Sequence, residues 1–326
     1  MKEVIWGIIG VGDVTEVKSG PAFNKTDRSR IKKVMRRNLD KAKDYAERHH
    51  IPEYSNNADD LYNDPEINAI YIATPPSAHA EYTIYAAQAG KHVYVEKPMA
   101  ANFGECQEMI AACENNQVKL FVAYYRRELE YFKKIKQVID EGVLGEIKCV
   151  DIKLLLPPNK QDFDKTNLPW RVIPEIAGGG YFYDLASHQF DFLDYILGPI
   201  KDVYGHAANQ ANLYEAEDIV TASFQFESGI PGTGTWCFTI DEKLRTDKTE
   251  IIGRTGKIEF SYFSPDPIQL TGIKGDQEIS IDYPVHVQQA LITSVVDELL
   301  KMEKCVSNGY SAARTNWVLD KILGKI

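Results

Sequence analysis

The chain has 326 residues, more than one hydrophobic core ordinarily serves, so two domains are expected. Hydrophobic residues at 44% and charged residues at 26% exclude a disordered chain, and a formal net charge of -10 argues against a nucleic-acid protein, which would carry a basic stripe. Five cysteines with no CxxC pair fit neither a disulfide framework nor a zinc site, and no apolar run approaches a membrane span; a cytoplasmic protein with no metal, membrane or nucleic-acid partner is expected.

Up to about residue 125, short apolar runs alternate with helical patterns. Residues 4–9 read as a strand, 31–35 as a weaker second one, and 69–73, 92–95 and 119–123 as further strands. Between them, residues 40–49, 78–89 and 103–115 carry helical spacing. Apolar strands interleaved with helices predict a parallel sheet covered on both faces, an α/β domain over residues 1–123. After it the rhythm changes. Residues 129–141 predict a helix ended by Gly142, and 147–156 a long strand. Residues 157–180, rich in Pro, Asn and Gly, lack periodicity, as binding loops do. Residues 181–197 are helical and stopped by Gly198-Pro199. Strands with turns at Glu227-Ser228-Gly229 and Gly275-Asp276 run to 282, and helices near 288–302 and 312–323 close the chain. Strands in a run predict an antiparallel sheet in an α+β domain over residues 124–326.

The stretch VIWGIIGVGDVT leads a strand into Gly10-x-Gly12. Glycines there let the backbone turn tightly and let phosphate approach a helix start, so Gly10, Gly12, Asp13 and Val14 are cofactor-binding candidates. Thr15 stands where the full pattern has Gly or Ala, and Gly20-Pro21 interrupts the first helix; alone, the motif also fits a glycine turn in another α/β protein. The second strand ends in Arg36-Arg37, with no acid for a ribose 2′-hydroxyl. Guanidinium groups bind a 2′-phosphate, which favours NADP(H) and leaves NAD(H) as the alternative; two solvated arginines are the plain reading.

HVYVEKPMA, residues 92–100, puts Glu96-Lys97-Pro98 at the carboxyl end of a strand, where open parallel sheets bind ligands. A lysine in a closed site polarises a carbonyl or shares a proton; on the tripeptide alone, a surface lysine in a strand-ending turn is the better fit. GGGYFYDLASHQFDF, residues 178–192, follows three glycines with Asp184 and His188, one turn apart on one helix face. Asp184, His188, Asp191 and Tyr195 form one stripe, and Phe182, Leu185, Phe192 and Ile196 a core-like one beside it. A carboxylate that fixes an imidazole tautomer for proton transfer and a solvated helix face both satisfy that spacing.

In chain order, GIIGVG, IATPPSAHAEY, VEKPMA, VAYYRR and GGGYFYDLASHQFDF resemble the glucose–fructose oxidoreductase / inositol dehydrogenase (Gfo/Idh/MocA) family over essentially the whole chain. The resemblance implies a Rossmann domain followed by an α+β domain built on a large open, mostly antiparallel sheet, with the active site between them. It implies association through that sheet into a dimer or tetramer, and residues 219–240 alternate apolar and polar accordingly. It adds Thr74, Pro75, His79, Glu96 and Lys97 to the cofactor-binding candidates, places Lys97 beside the nicotinamide, and makes Lys97, Asp184 and His188 the catalytic set. Tyr125, Arg126, Trp170, Arg171 and His188 are the substrate-binding candidates, with Tyr125 where relatives often have Asn. The expected function is hydride transfer between NADP(H) and a hydroxyl or carbonyl of a sugar-like small molecule. A redox-neutral enzyme with a retained cofactor and a non-catalytic nucleotide sensor are the alternatives; retention of Lys97 counts against the sensor.

Overall fold

The computed structural model describes residues 1–264, 266–273 and 275–326. The chain divides into two units, Met1–Glu128 with Pro284–Ala313, and Leu129–Tyr283 with Arg314–Ile326. In the first unit, strands β1 (Val4–Ile9), β2 (Ser29–Met35), β3 (Glu53–Ser55), β4 (Ala69–Ile72), β5 (His92–Val95) and β6 (Leu120–Val122) form a parallel sheet in the order β3-β2-β1-β4-β5-β6. The order reverses at β1 and β4, the switch point at which such sheets open a crevice beyond their carboxyl ends. Every residue of β4 is buried, because helices cover both faces and no position faces water. The edge strand β3 lies outside the sequence expectation, since a three-residue strand with an exposed Tyr54 carries no apolar run.

The helices of this unit are α1 (Asp13–Val17), α2 (Gly20–Lys25), α3 (Leu39–Arg48), α4 (Asp59–Tyr62), α5 (His79–Gln88) and α6 (Phe103–Asn115). One core cluster joins Leu61, Ala80, Ala86 and Met109 to the sheet. The other joins Phe23, Tyr45 and Ala46 to Trp6, Tyr71 and Tyr94. The anticipated interruption at Gly20-Pro21 is therefore a junction between two short helices.

In the second unit, α7 (Glu130–Asp140), α8 (Pro174–Ala177) and α9 (Tyr181–Leu197) accompany eight strands. These are β7 (Ile147–Leu155), β8 (Ile200–Ala208), β9 (Ile219–Phe226), β10 (Pro231–Cys237), β11 (Thr246–Gly253), β12 (Gly256–Phe260), β13 (Ile268–Gly272) and β14 (Gln277–Ile279). Their order is β14-β13-β12-β11-β7-β10-β9-β8, and among the described residues only β7 and β10 run parallel. Alternation sets the faces: β9 buries Val220, Ala222, Phe224 and Phe226 and turns Thr221 and Ser223 outward. α9 lies against the inner face, with Phe182 5.0 Å from Trp236 and Phe190 5.4 Å from Phe224 between ring centres.

The remaining helices are α10 (Gln289–Leu299) and α11 (Gly309–Ile322). Here the sequence expectation needs correction. Residues 284–313, expected in the second domain, fold with the first unit, where Leu291, Ile292, Val295, Val296 and Leu299 of α10 join the cluster around Trp6. The first boundary falls at Glu128 rather than 123.

Candidate functional site

The glycine turn stands at the switch point. Gly10 has φ +93°, which favours glycine, and its N–H donates to Met35 O at the end of β2 (2.9 Å). A Cβ added at Gly10 would sit 2.7 Å from Thr74 Cγ2, so the turn after β1 and the turn after β4 meet closely. Gly12 differs. Its backbone is extended (φ -163°), and a Cβ there would meet nothing nearer than Gly10 O at 4.0 Å. The space in front of Gly12 is thus open to a ligand. Thr15 closes the start of α1: its Oγ1 accepts the Gly12 N–H (2.9 Å) and donates to Gly12 O (2.8 Å). Asp13 and Val14 follow in the first turn, where backbone N–H groups lack helical partners. Thr74 Oγ1 is buried with no hydrogen-bond partner among the described residues, an orphaned hydroxyl at the cradle. Pro75, half-buried, leads into a single 3-10 turn, Pro76–Ala78.

Arg36 and Arg37 sit directly after β2, half-exposed and exposed. The Arg36 N–H donates to Ser55 O (3.1 Å), which anchors this backbone to the end of β3. Among the described residues neither guanidinium is in an ion pair. An open glycine turn beside the carboxyl ends of the parallel strands fits a dinucleotide.

Lys97 follows β5 and is half-buried, joined to Pro98 by a cis peptide bond. Glu96 beside it is buried, and its carboxylate accepts from Tyr71 O–H (2.5 Å), Gln288 Nε2 (2.6 Å) and the Lys97 N–H (3.3 Å). His79 is buried completely. Its Nδ1 lies 3.1 Å from Pro98 O and 3.2 Å from Met99 O, and its Nε2 lies 2.8 Å from Thr74 O. His79 and Glu96 therefore brace the backbone turns after β4 and β5. Tyr125 and Arg126 follow β6; Arg126 is buried, its guanidinium 5.1 Å from the centre of the Tyr125 ring.

In the second unit, Gly178 (φ +82°) caps α8 in the left-handed region that glycine adopts most readily. A Cβ at Gly180 would lie 2.8 Å from Ala216 Cβ, so the chain passes too closely there for any other residue. The Gly180 N–H, at the N-cap of α9, donates to Glu217 Oε1 (2.9 Å). Burial raises the Glu217 carboxyl above its ordinary value, and that N–H opposes the shift. Asp184 in the first turn of α9 faces Arg171, whose Nε lies 3.3 Å from Oδ2 and whose guanidinium stacks 4.5 Å from the Trp170 ring centre. The sequence expectation paired Asp184 with His188 and did not anticipate Arg171 as a neighbour of this carboxylate. His188 is buried, edge-on to Phe263 with ring centres 6.1 Å apart. The stripes also shift: His188 and Asp191 are buried while Leu185 is half-exposed. The reason is packing on more than one side of α9. Tyr183 donates to Asp320 Oδ1 on α11 (3.0 Å), and Phe132 of α7 meets Phe192 at 4.9 Å.

Several supporting residues carry no local sequence signal. Asp162 is fully buried in the aperiodic loop and accepts from Tyr181 O–H (2.7 Å) and the Asn159 N–H (2.7 Å). Gln288 and Glu217 reach their partners from 192 and 37 residues away.

A six-stranded parallel sheet in this order, with a glycine turn at its switch point, defines a Rossmann-type dinucleotide-binding unit. The chain belongs to the Gfo/Idh/MocA oxidoreductase family: residues 4–124 match the model described as oxidoreductase family, NAD-binding Rossmann fold, and residues 132–259 match its C-terminal domain. It is 39% identical over 321 residues to Oxidoreductase P35 of Formosa agariphila, covering 98% of each chain. Its fold is similar to aldose-aldose oxidoreductase from Caulobacter crescentus complexed with glycerol (TM-score 0.87, 23% identity, 99% and 97% of the chains). It is also similar to levoglucosan dehydrogenase in complex with NADH and levoglucosan (TM-score 0.83, 21% identity, 99% and 96% of the chains).

Proposed function

We propose that the protein is an NADP(H)-dependent oxidoreductase that moves a hydride between the nicotinamide and a hydroxyl or carbonyl carbon of a sugar-like small molecule. The observation that carries the cofactor reading is the pair Arg36 and Arg37, half-exposed and exposed after β2 beside the Gly10 turn and in no ion pair among the described residues. Amides of Asp13 and Val14 would hold the pyrophosphate, and the two arginines the 2′-phosphate. When bound, the nicotinamide gives or takes the hydride. Lys97 holds the reacting substrate oxygen, and His188 passes the proton to or from it. Asp184 carries Arg171 against Trp170, which offers a guanidinium and an aromatic face to a polyhydroxylated ring or a sugar acid. Tyr125 and Arg126 are the further substrate-side residues.

Calorimetry with NADP(H) and NAD(H) tests the cofactor. Tighter NADP(H) binding, weakened by Arg36→Ala or Arg37→Ala, is expected; equal or tighter NAD(H) binding refutes the preference. With that cofactor, a screen of sugars and sugar acids tests the reaction. Lys97→Met and His188→Ala should each lower kcat by roughly 100- to 10,000-fold, the range of a lost proton-transfer group. Unchanged turnover in both would remove the assignment. The fold neighbour named for aldose–aldose exchange supports a second reading, in which a retained cofactor is oxidised and reduced in one cycle. Substrate conversion with no net change in reduced-nicotinamide absorbance would favour it.

A further inference from the structure

The segment that returns to the first unit docks on α1. His286 Nδ1 lies 2.6 Å from Val17 O, and the Gln288 N–H donates to Lys18 O (3.2 Å). Carbonyls that a longer helix would satisfy internally are thus met by a segment about 270 residues on. Gln288 is fully buried, and each of its polar atoms has a partner. Its Nε2 donates to Glu96 Oε1 (2.6 Å), and its Oε1 accepts from Tyr94 O–H (2.9 Å). A second path joins the same elements. Tyr71 O–H donates to Glu96 Oε1 (2.5 Å), and Ser19 Oγ lies 3.0 Å from the Tyr71 oxygen and 3.3 Å from Val14 O. Since the one Tyr71 proton goes to the carboxylate, the Ser19 hydroxyl donates to Tyr71, while Val14 O accepts the Ser19 backbone N–H (3.2 Å).

The bonds close a ring: Lys18–Ser19 to Tyr71, to Glu96, to Gln288, and back to Lys18 O. Its walls are aromatic, with Tyr71 and Tyr94 stacked at 5.1 Å and Phe23 5.1 Å from Tyr71. A satisfied polar network in such surroundings holds one arrangement, because any displacement strands a buried group. The ring begins at the end of the glycine-turn helix and ends on the residue before Lys97. We infer that Gln288 is a positioning residue that couples the nucleotide turn to Lys97 through Glu96. The ligand-dependent part rests on the proposed cofactor reading; the placement of the Lys97 turn does not.

Hydrogen–deuterium exchange on the full chain tests this, with Gln288→Ala and with Gln288→Met, which keeps volume without polar atoms. Without nucleotide, amides of residues 92–101 should exchange about tenfold faster in both variants, the scale of one lost hydrogen bond to a charged group, while those of β1 and β4 stay at wild-type rates. In wild type, saturating NADPH should slow exchange in 92–101. In the variants NADPH should still bind, within about threefold of wild-type affinity because the glycine turn is untouched, yet no longer slow that segment. The emission of bound NADPH should differ from wild type, a signature that a general loss of stability would not produce. Wild-type behaviour of Gln288→Met, or faster exchange throughout the first unit, would overturn the inference. If wild type binds neither NADPH nor NADH, the cofactor reading fails, and the nucleotide-free exchange of 92–101 alone decides the role of Gln288.

Discussion

His79 sits where two demands conflict. Carbonyl oxygens face both ring nitrogens, an arrangement that a doubly protonated ring would satisfy. Burial opposes the charge more strongly, aided by the Lys97 ammonium, and brings the ring down from 6.5 to about 4. The unfolded chain therefore binds a proton between these values that the folded chain refuses, so stability rises with pH across that window and is complete above it. The shift corresponds to on the order of 3 kcal/mol, present at neutral pH and lost as pH falls toward 4. Urea midpoints at neutral pH and near pH 4 should converge in His79→Gln relative to wild type; equal acid losses would show that the ring does not titrate this way. Gly12 offers the opposite kind of test. Gly12→Ala adds a methyl group where the protein has no near atom, so stability should move by less than about 0.5 kcal/mol. NADPH affinity should fall by about tenfold or more, because the methyl group occupies the phosphate approach. If Gly12→Ala bound NADPH as wild type does, the turn would not be the phosphate seat.

At the level of elements, the joint between α1 and α2 explains two departures from the motif. Thr15 replaces the third glycine, and its hydroxyl closes the helix start on Gly12. Its carbonyl accepts Tyr45 O–H from α3 (2.8 Å). A Cβ at Gly20 would lie 2.2 Å from Thr15 O and 2.3 Å from Tyr45 Oη, so the chain turns at the one place where it lacks a side chain. Gly20→Ala should cost about 1–3 kcal/mol, the usual cost of overpacking, with NADPH binding weakened in step as α1 shifts. A wild-type urea midpoint would mean that the joint yields freely. The sequence showed Gly20-Pro21 as an interruption, and it was one. That Tyr45 makes the joint was not legible, because it lies 30 residues away on an amphipathic helix whose pattern shows burial and no partner. The same holds at α9. The glycines and the four-residue spacing of Asp184 and His188 were legible as a candidate site. Arg171 was legible as a substrate-side candidate, but its contact with Asp184 was not, and Glu217 reaches the Gly180 amide from 37 residues away with no local signal.

Across the whole chain, the second sheet turns small polar side chains outward, Thr221 and Ser223 on β9 and Thr233 on β10, beside a Lys248–Glu259 ion pair at 2.9 Å. We propose that copies of the chain associate on this face; sedimentation should show a dimer or tetramer that Ser223→Glu with Thr233→Glu dissociates, and a monomeric wild type would end the proposal. Organisation along the chain allows a sharper prediction. The change of rhythm near residue 125 was legible, because apolar strand runs give way to alternating ones there. The return of residues 284–313 was not, because an amphipathic helix advertises an apolar face without naming what covers it. That return matters energetically. Leu291, Ile292, Val295, Val296 and Leu299 are buried, each worth roughly 1.5–3 kcal/mol, against a typical domain stability of about 5–15 kcal/mol. The same segment protects the sheet edge at β6. Asn308 bridges to Phe121, Ser307 Oγ donates to Val122 O (2.7 Å), and Val306 O accepts from Arg127 (2.6 Å). A fragment of residues 1–128 should therefore lack a cooperative urea transition and aggregate through its bared edge. Joining residues 284–313 to it by a flexible linker should restore a transition near that of the first unit in the full chain. Cooperative unfolding of 1–128 alone at full stability would mean that the returning segment covers a core already sufficient without it.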